Sequence, residues 1–296
     1  MEDCDFGDSD FNVNIAVVGM GLIGGSYAMA LKALNPRCIV GIDKDKKTLN
    51  EALDMGIIDM AYESGGRFLK KIDLIIIALY PKDTVKFVKD NLQNLKRGVL
   101  ITDASSVKEY VVSSINLFLP EYMEFVPGHP MAGRESKGIE LASADIFKKA
   151  NYIITPSSRN TPKGLNMIDK MARKIGCSNV TYVSPEEHDN VIAFTSQLPH
   201  VAAVSLMNSY DENSINNMEL FIGGSFRDAT RVAQINSKLW SQLFIMNSDK
   251  LVDEIEKFQK SIDELKMAVI YKDVNKIDDI FENAVHRRKD IVKRQG

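Results

Sequence analysis

Apolar and polar positions change rhythm along this chain, and the change falls near Ser184. Before it, short apolar runs at residues 13–18, 38–42, 72–79 and 98–102 alternate with stretches of helical spacing. A continuous apolar run is how a parallel strand buried on both faces reads. Residues 45–55 read as a helix that Gly56 is placed to end. Pro81 suits the first turn of a helix that carries Val85, Val88, Leu92 and Leu95 on one face. A further helix has Val107, Val111, Ile115 and Leu119 on a face, with Pro120 just beyond it. Short strands are predicted near residues 124–126, 152–155 and 180–183, and the helix between the last two starts at Thr161-Pro162. This alternation predicts an α/β protein with a doubly wound parallel sheet.

Beyond Ser184 no strand pattern is found. Ser184-Pro185-Glu186-Glu187 is a capping-box signal. Leu251, Ile255, Phe258, Ile262, Leu265 and Val269 alternate at spacings of four and three, the seam of a long helix. Such a seam fits packing inside one domain and an intersubunit coiled coil equally well. Ile277, Phe281, Ala284 and Ile291 continue the helical spacing, and the basic end at residues 286–294 complements the helix dipole. The predicted organisation is a mobile acidic tail (1–11), an α/β domain (12–184) and an all-helical domain (185–296).

The first apolar run breaks into Gly19-Met20-Gly21-Leu22-Ile23-Gly24 and leads into a helix. Asp43 closes the second run, about 20 residues after Gly24, completing the form of a Rossmann-type dinucleotide-binding unit. Gly19 permits the turn off the strand, Gly21 lets the backbone approach a pyrophosphate, and Gly24 lets the helix pack on the sheet. The helix start at Leu22 and Ile23 offers N–H groups and a positive dipole end to phosphates. Asp43 is placed to accept from the ribose hydroxyls and to repel a 2′-phosphate, which favours NAD. Lys44 and Lys46 beside it weaken the exclusion of NADP.

At 296 residues the chain suits one large or two ordinary domains, and a net charge of −3 gives no reason to invoke nucleic acid or an anionic membrane. No apolar run has the length needed to span a bilayer. The acidic start lacks the basic residues of a secretory or transit segment. The three cysteines have neither metal-ligand nor redox spacing, so a cytoplasmic setting without a bound metal is expected.

Four histidines limit the acid–base candidates. His129, in Gly128-His129-Pro130-Met131-Ala132-Gly133, follows a predicted strand. It is placed at the carboxyl edge of the sheet, where an imidazole can take a proton from a substrate hydroxyl. A structural histidine in a Pro/Gly turn fits the same sequence. Ser196 and His200 lie one helical turn apart, and Pro199 between them should perturb that helix. A core histidine is the competing reading. His188 and His286 lie in charged stretches and read as exposed. Gly223-Gly224-Ser225-Phe226-Arg227-Asp228-Ala229-Thr230-Arg231 sets glycines before arginines that can clamp a carboxylate or form a surface ion pair. Trp240 reads as packing between helices.

Taken in order, these motifs, with Asp103-Ala104-Ser105-Ser106-Val107-Lys108 and Ser184-Pro185-Glu186-Glu187-His188-Asp189, resemble the prephenate/arogenate dehydrogenase family of tyrosine biosynthesis. The resemblance implies oxidative decarboxylation of a cyclohexadienol, with hydride passing to a nicotinamide dinucleotide. It implies His129 as proton acceptor with Ser106 as its partner, and Ser196 and His200 as substrate-positioning groups. Arg231 would bind the ring carboxylate, and Gly224 would give the substrate backbone room. The family often has a small hydroxyl residue after His-Pro-Met-Ala-Gly; here Arg134 stands there, a second cation available to the substrate. A homodimer formed through the helical domain is also implied. The chain ends at Gly296 without the regulatory domain that some relatives append, so no tyrosine-sensing domain is expected.

The expected activity is that of an NAD-dependent prephenate dehydrogenase. Arogenate dehydrogenase and a dual-substrate cyclohexadienyl dehydrogenase are the alternatives within the family. A β-hydroxyacid dehydrogenase would need a catalytic lysine on the helical domain, for which Lys238 and Lys250 are available. A non-catalytic dinucleotide-sensing module would keep the glycines and Asp43 but would have no use for His129, Ser106 and Arg231 together.

Overall fold

The computed structural model describes residues 11–133, 138–211 and 217–293. The expected N-terminal tail, apart from Phe11, and Arg134 lie outside the described residues.

The apolar runs form the predicted strands: β1 (Asn14–Val18), β2 (Cys38–Ile42), β4 (Leu74–Ile77) and β5 (Leu100–Asp103). With β3 (Met60–Tyr62) and β6 (Glu124–Phe125) they make a six-stranded sheet in the order β3-β2-β1-β4-β5-β6. Every pairing is parallel. β1 pairs with both β2 and β4, so strand order reverses at its carboxyl end. That is the switch point at which open α/β sheets bind ligands. All four residues of β4 are buried, as its unbroken apolar sequence requires.

Helices cover both faces. α1 (Leu22–Lys32), α2 (Lys46–Asp54) and α5 (Pro162–Lys174) contribute to one apolar cluster with Tyr27, Phe147 and Met171. α3 (Pro81–Asn91) and α4 (Glu109–Asn116) contribute to the other, with Val88, Val111 and Ile115. Local signals set the helix starts. Asp45 accepts from Lys47 and Thr48 N–H groups, Thr161 from Gly164 N–H, and Pro81 and Pro162 occupy first turns.

The later strands depart from the single sheet that the alternation predicted. β7 (Gly128–Pro130), β8 (Asn151–Ile154) and β9 (Asn179–Tyr182) form a separate three-stranded sheet, with β7 antiparallel to β8. His129 therefore sits within a short strand rather than in a loop beyond the main sheet.

All described elements after Ser184 are helical: α6 (Pro185–Ile192), a π-helical turn (Ala193–Gln197), α7 (Leu198–Asn208), α8 (Gly224–Thr230), α9 (Ser237–Met246), α10 (Ser248–Ile270) and α11 (Val274–Lys293), with 3-10 turns at Met218–Phe221 and Arg231–Ala233. Ser184 accepts from Glu187 N–H, as the capping box predicted. The π turn has a physical cause in Pro199, which brings no N–H and crowds the carbonyl four residues earlier. The α10 seam is only partly covered within the chain. Leu251 is buried, whereas Phe258, Ile262 and Val269 are exposed, as is Phe281 on α11.

A buried polar knot holds these parts together. Lys108 is wholly buried, and its ammonium donates to both oxygens of Asp103 (2.8 and 2.9 Å) and to the Gly128 carbonyl. Gly128 N–H donates back to Asp103 at 3.3 Å. The strand carrying His129 is thus tied to the end of β5. α4 has no side-chain cap of its own. Asp189 of α6 supplies one, accepting Lys108 N–H at 2.8 Å and Glu109 N–H at 2.9 Å. Asn247 donates to the Asp189 carbonyl and to Gln197, both at 2.9 Å, carrying the network into the helical domain.

Removing one partner of a buried ion pair strands the other charge, at a cost of about 3–5 kcal/mol. Lys108→Met is expected to lower the unfolding free energy by about that amount in urea titrations followed by circular dichroism. A loss below about 1 kcal/mol would show that the knot does not hold the fold together.

Candidate active site

The glycine loop lies at the switch point, between β1 and α1. Gly19 has φ +87°, and a Cβ there would lie 2.5 Å from the Ala78 carbonyl oxygen. A Cβ on Gly24 would lie 1.7 Å from the Gly19 carbonyl oxygen, so only glycine lets α1 start this close to the strand. A Cβ on Gly21 would meet nothing within 4 Å. Gly21 therefore borders open space at the head of α1, where no side chain caps the helix and its first turn carries no acid. The N–H groups of Leu22 and Ile23 lie in that turn. Asp43 Oδ2 accepts from Met20 N–H at 2.7 Å and Oδ1 from Asp45 N–H at 3.0 Å. Each oxygen keeps acceptor capacity for a hydroxyl. A bare helix N-terminus, an open glycine and a part-buried carboxylate beside the loop fit a dinucleotide. Lys46 is engaged with Glu63 at 3.2 Å.

His129 is buried on β7. Its Nδ1 lies 2.9 Å from Nε2 of His188, and His188 Nδ1 lies 2.6 Å from Asp189 Oδ1. Burial holds the His129 pKa well below the ordinary imidazole value of 6.5, with His188 and the Lys108 ammonium acting in the same direction. Burial also lowers the pKa of His188, against the opposing pull of its hydrogen bond to Asp189. Such a pair is neutral near pH 7 and able to accept a proton.

The expectation that His188 is exposed is therefore overturned: its relative exposure is 1%. The charged neighbours Glu186, Glu187 and Asp189 concealed it in the sequence. The register fixed by Ser184 was the available signal, because it puts His188 one turn before Ile192 on the buried face of α6. The expected partner of His129, Ser106, is half-buried on the loop after β5, while His188 occupies His129 Nδ1.

On the helical side, His200 Nδ1–H donates to the Ser196 backbone carbonyl at 2.8 Å, which leaves Nε2 as an acceptor. The Ser–His relation anticipated from the spacing thus runs through the main chain. Trp240 lies over His200, ring centroids 3.6 Å apart, and Phe244 meets Trp240 edge-on at 5.7 Å. Trp240 thereby fixes the His200 ring as well as packing between helices. Gly224 heads α8 in open space, and Arg231 follows α8 in a 3-10 turn that packs on α7. Ser196, His200 and Arg231 thus belong to one packed group of elements. Asn236 donates to the Tyr80 hydroxyl at 2.7 Å, bridging the two domains near the carboxyl end of β4. Lys250, a candidate lysine of the β-hydroxyacid reading, is paired with Glu109. No cluster of metal-ligating side chains occurs among the described residues. No described helix is long and apolar enough to cross a membrane.

Comparison with known proteins agrees with this anatomy. A family model described as "Prephenate dehydrogenase, nucleotide-binding domain" matches residues 27–181. Another, described as "Prephenate dehydrogenase, dimerization domain", matches residues 184–283. Prephenate dehydrogenase of Bacillus subtilis (strain 168) is 32% identical over 285 residues, spanning 95% of this chain and 76% of that protein. Cyclohexadienyl dehydrogenase of Zymomonas mobilis is 30% identical over 264 residues, spanning 88% of this chain and 89% of that protein. The crystal structure of prephenate dehydrogenase from A. aeolicus in complex with hydroxyphenyl propionate and NAD+ has a TM-score of 0.85 to this chain. It is 27% identical, and the match covers 94% of this chain and 98% of that one.

Fold and glycine loop define a two-domain, dinucleotide-dependent oxidoreductase. The chain belongs to the prephenate dehydrogenase family, whose reaction on cyclohexadienyl substrates uses NAD(P).

The glycines of the loop should respond differently to alanine. Gly21→Ala is expected to leave unfolding unchanged while weakening NAD binding, measured by calorimetry, by at least about tenfold. Gly24→Ala is expected to lower thermal stability as well. Unaltered NAD affinity in Gly21→Ala would remove the loop from the cofactor site.

Proposed function

We propose that this chain is an NAD-dependent prephenate dehydrogenase, converting prephenate to 4-hydroxyphenylpyruvate by oxidative decarboxylation in tyrosine biosynthesis. The observation that carries this reading is His129, a buried, neutral imidazole on β7 with its Nδ1 already occupied. Bound NAD supplies the hydride acceptor. His129 accepts the proton of the ring hydroxyl at its other nitrogen, so negative charge on that oxygen can drive hydride departure. Ser106 hydrogen-bonds the same hydroxyl in this reading.

Ser196 and His200 position the substrate, with His200 near its side-chain end and its ring held by the Ser196 carbonyl. Arg231 holds the ring carboxylate in a two-pronged contact, which orients the group that leaves as carbon dioxide. Gly224 leaves the backbone open beside it. Arg134 adds a cation suited to a di-anionic substrate. Aromatisation supplies much of the driving force, so the protein's task is orientation and charge placement.

NAD is preferred to NADP because a 2′-phosphate would meet the Asp43 carboxylate, against the weaker pull of the exposed Lys44 and Lys46. The name of the Zymomonas mobilis relative makes arogenate the second substrate to test. We place the domain boundary at residues 184 and 185, between the last strand and α6. The exposed Phe258, Ile262, Val269 and Phe281 support a homodimer formed through the helical domain.

His129→Asn is expected to keep NAD affinity and to lower kcat with prephenate by about 10²–10⁴. Unchanged turnover would remove His129 from the chemistry; a wild-type chain that binds NAD but turns over neither prephenate nor arogenate would leave a dinucleotide-sensing module as the better reading. Arogenate turned over much faster than prephenate would reassign the substrate. A protonated His129 cannot take up the hydroxyl proton, so activity should fall as pH drops through its lowered pKa. The acid limb of kcat/KM is therefore expected below 6.5.

Light scattering should give the mass of two chains, and Ile262→Glu should shift it toward one. A wild-type monomer would refute the dimer.

A further inference from the structure

We propose that His188 and Asp189 are positioning residues that hold His129 in the one neutral tautomer whose Nε2 is bare. The proposal rests on the reading of His129 as proton acceptor, and it follows from the order of donors and acceptors. A carboxylate only accepts, so the 2.6 Å contact requires His188 Nδ1–H to donate to Asp189. Neutral His188 then presents Nε2 as an acceptor. The 2.9 Å contact between the rings is satisfied only if His129 Nδ1–H donates across it. One proton remains on each ring, and His129 Nε2 carries a lone pair.

The anchor of this chain cannot turn away. Asp189 is itself fixed by Lys108 and Glu109 N–H groups at the head of α4. Those two N–H groups fix the direction of the carboxylate at the head of the helix. The charged groups facing the two imidazoles are Asp189 on α6 and the Lys108–Asp103 pair between β5 and α4. Lys108 and Asp103 compensate one another, which leaves Asp189 as the net charge.

Proton transfer balances simply. The substrate O–H bond breaks, an Nε2–H bond forms on His129, and the electron pair of the O–H bond stays on oxygen. His129 becomes imidazolium while still donating through Nδ1 to His188. The relay passes from net charge −1 to zero, so charge is neutralised rather than created in a buried place. If His188 were protonated instead, its Nε2–H would donate to His129 Nδ1, and neutral His129 would carry its proton on Nε2, facing the substrate as a donor. In the serine protease triad, a wrong histidine tautomer costs about 10⁴ in kcat.

The test joins a spectroscopic readout to kinetics. In cofactor-free protein with ¹⁵N-labelled histidine, two-bond ¹H–¹⁵N correlations near pH 7.5 should show His129 protonated at Nδ1 and bare at Nε2. His129→Asn identifies the signal. His188→Phe keeps the ring volume but removes the acceptor. It should mix the His129 tautomers and lower kcat by about 10²-fold or more, with NAD affinity and prephenate KM within about threefold of wild type. His188→Gln, whose carbonyl can accept from Nδ1–H, should recover at least about tenfold of that loss.

A wild-type His129 bearing its proton on Nε2 overturns the relay, whatever the variants do, and decides the matter if His188→Phe does not fold. Wild-type kcat in His188→Phe, with His129→Asn still impaired, overturns the relay and leaves the functional reading intact. Unimpaired turnover in both variants removes His129 as proton acceptor, and with it the reading on which the relay rests, while the activity itself stands.

Discussion

A lysine ammonium taken wholly out of water costs several kcal/mol unless its donors are met, and Lys108 meets this demand by drawing distant parts of the chain together. Asp103 ends β5, Gly128 opens β7, and both are held by the one charged nitrogen. Burial pulls the Lys108 pKa below its ordinary value, and Asp103 opposes that pull. The main chain of the same residue reaches Asp189 on α6. One residue thus joins main sheet, second sheet and helical domain. His129 lies next to Gly128, so its place in space follows from that pairing.

The rest of the site has a division of labour that its supports explain. The dinucleotide end is built from backbone: a positive φ at Gly19, a close crossing at Gly24, and N–H groups at the head of α1. Such features are rigid because they belong to the sheet and its first helix. The proposed substrate end draws on side chains of the helical domain, and these are held by aromatic stacking and by a π turn. Pro199 perturbs the helix between Ser196 and His200. The disturbance has a use, since it lets the His200 ring meet the Ser196 carbonyl.

How much of this was legible in the sequence depends on length scale. β1, the glycine loop and α1 could be read because each demand is local: a buried strand, a backbone that only glycine can follow, and a helix start. The helix starts near Asp45 and Thr161 and the cap at Ser184 were legible for the same reason. The second sheet was not, since β7 spans only Gly128–Pro130 and pairs antiparallel with a strand more than 20 residues later. No local pattern carries such a partnership. His188 was misread because its neighbours are charged, and burial is set by the face of α6 rather than by the average of the segment. The tie between Lys108 and Gly128 is likewise a long-range fact.

The cap on α4 comes from across the domain junction, and this has a consequence for descent. A first domain inherited alone would keep its loop for a dinucleotide but would lose the aspartate that seats α4 and the imidazole that meets His129. The two halves are not interchangeable modules. Exchange between relatives preserves function only where the acid of one half still meets the helix head of the other. The junction therefore works as a single structural unit, although the chain folds into two.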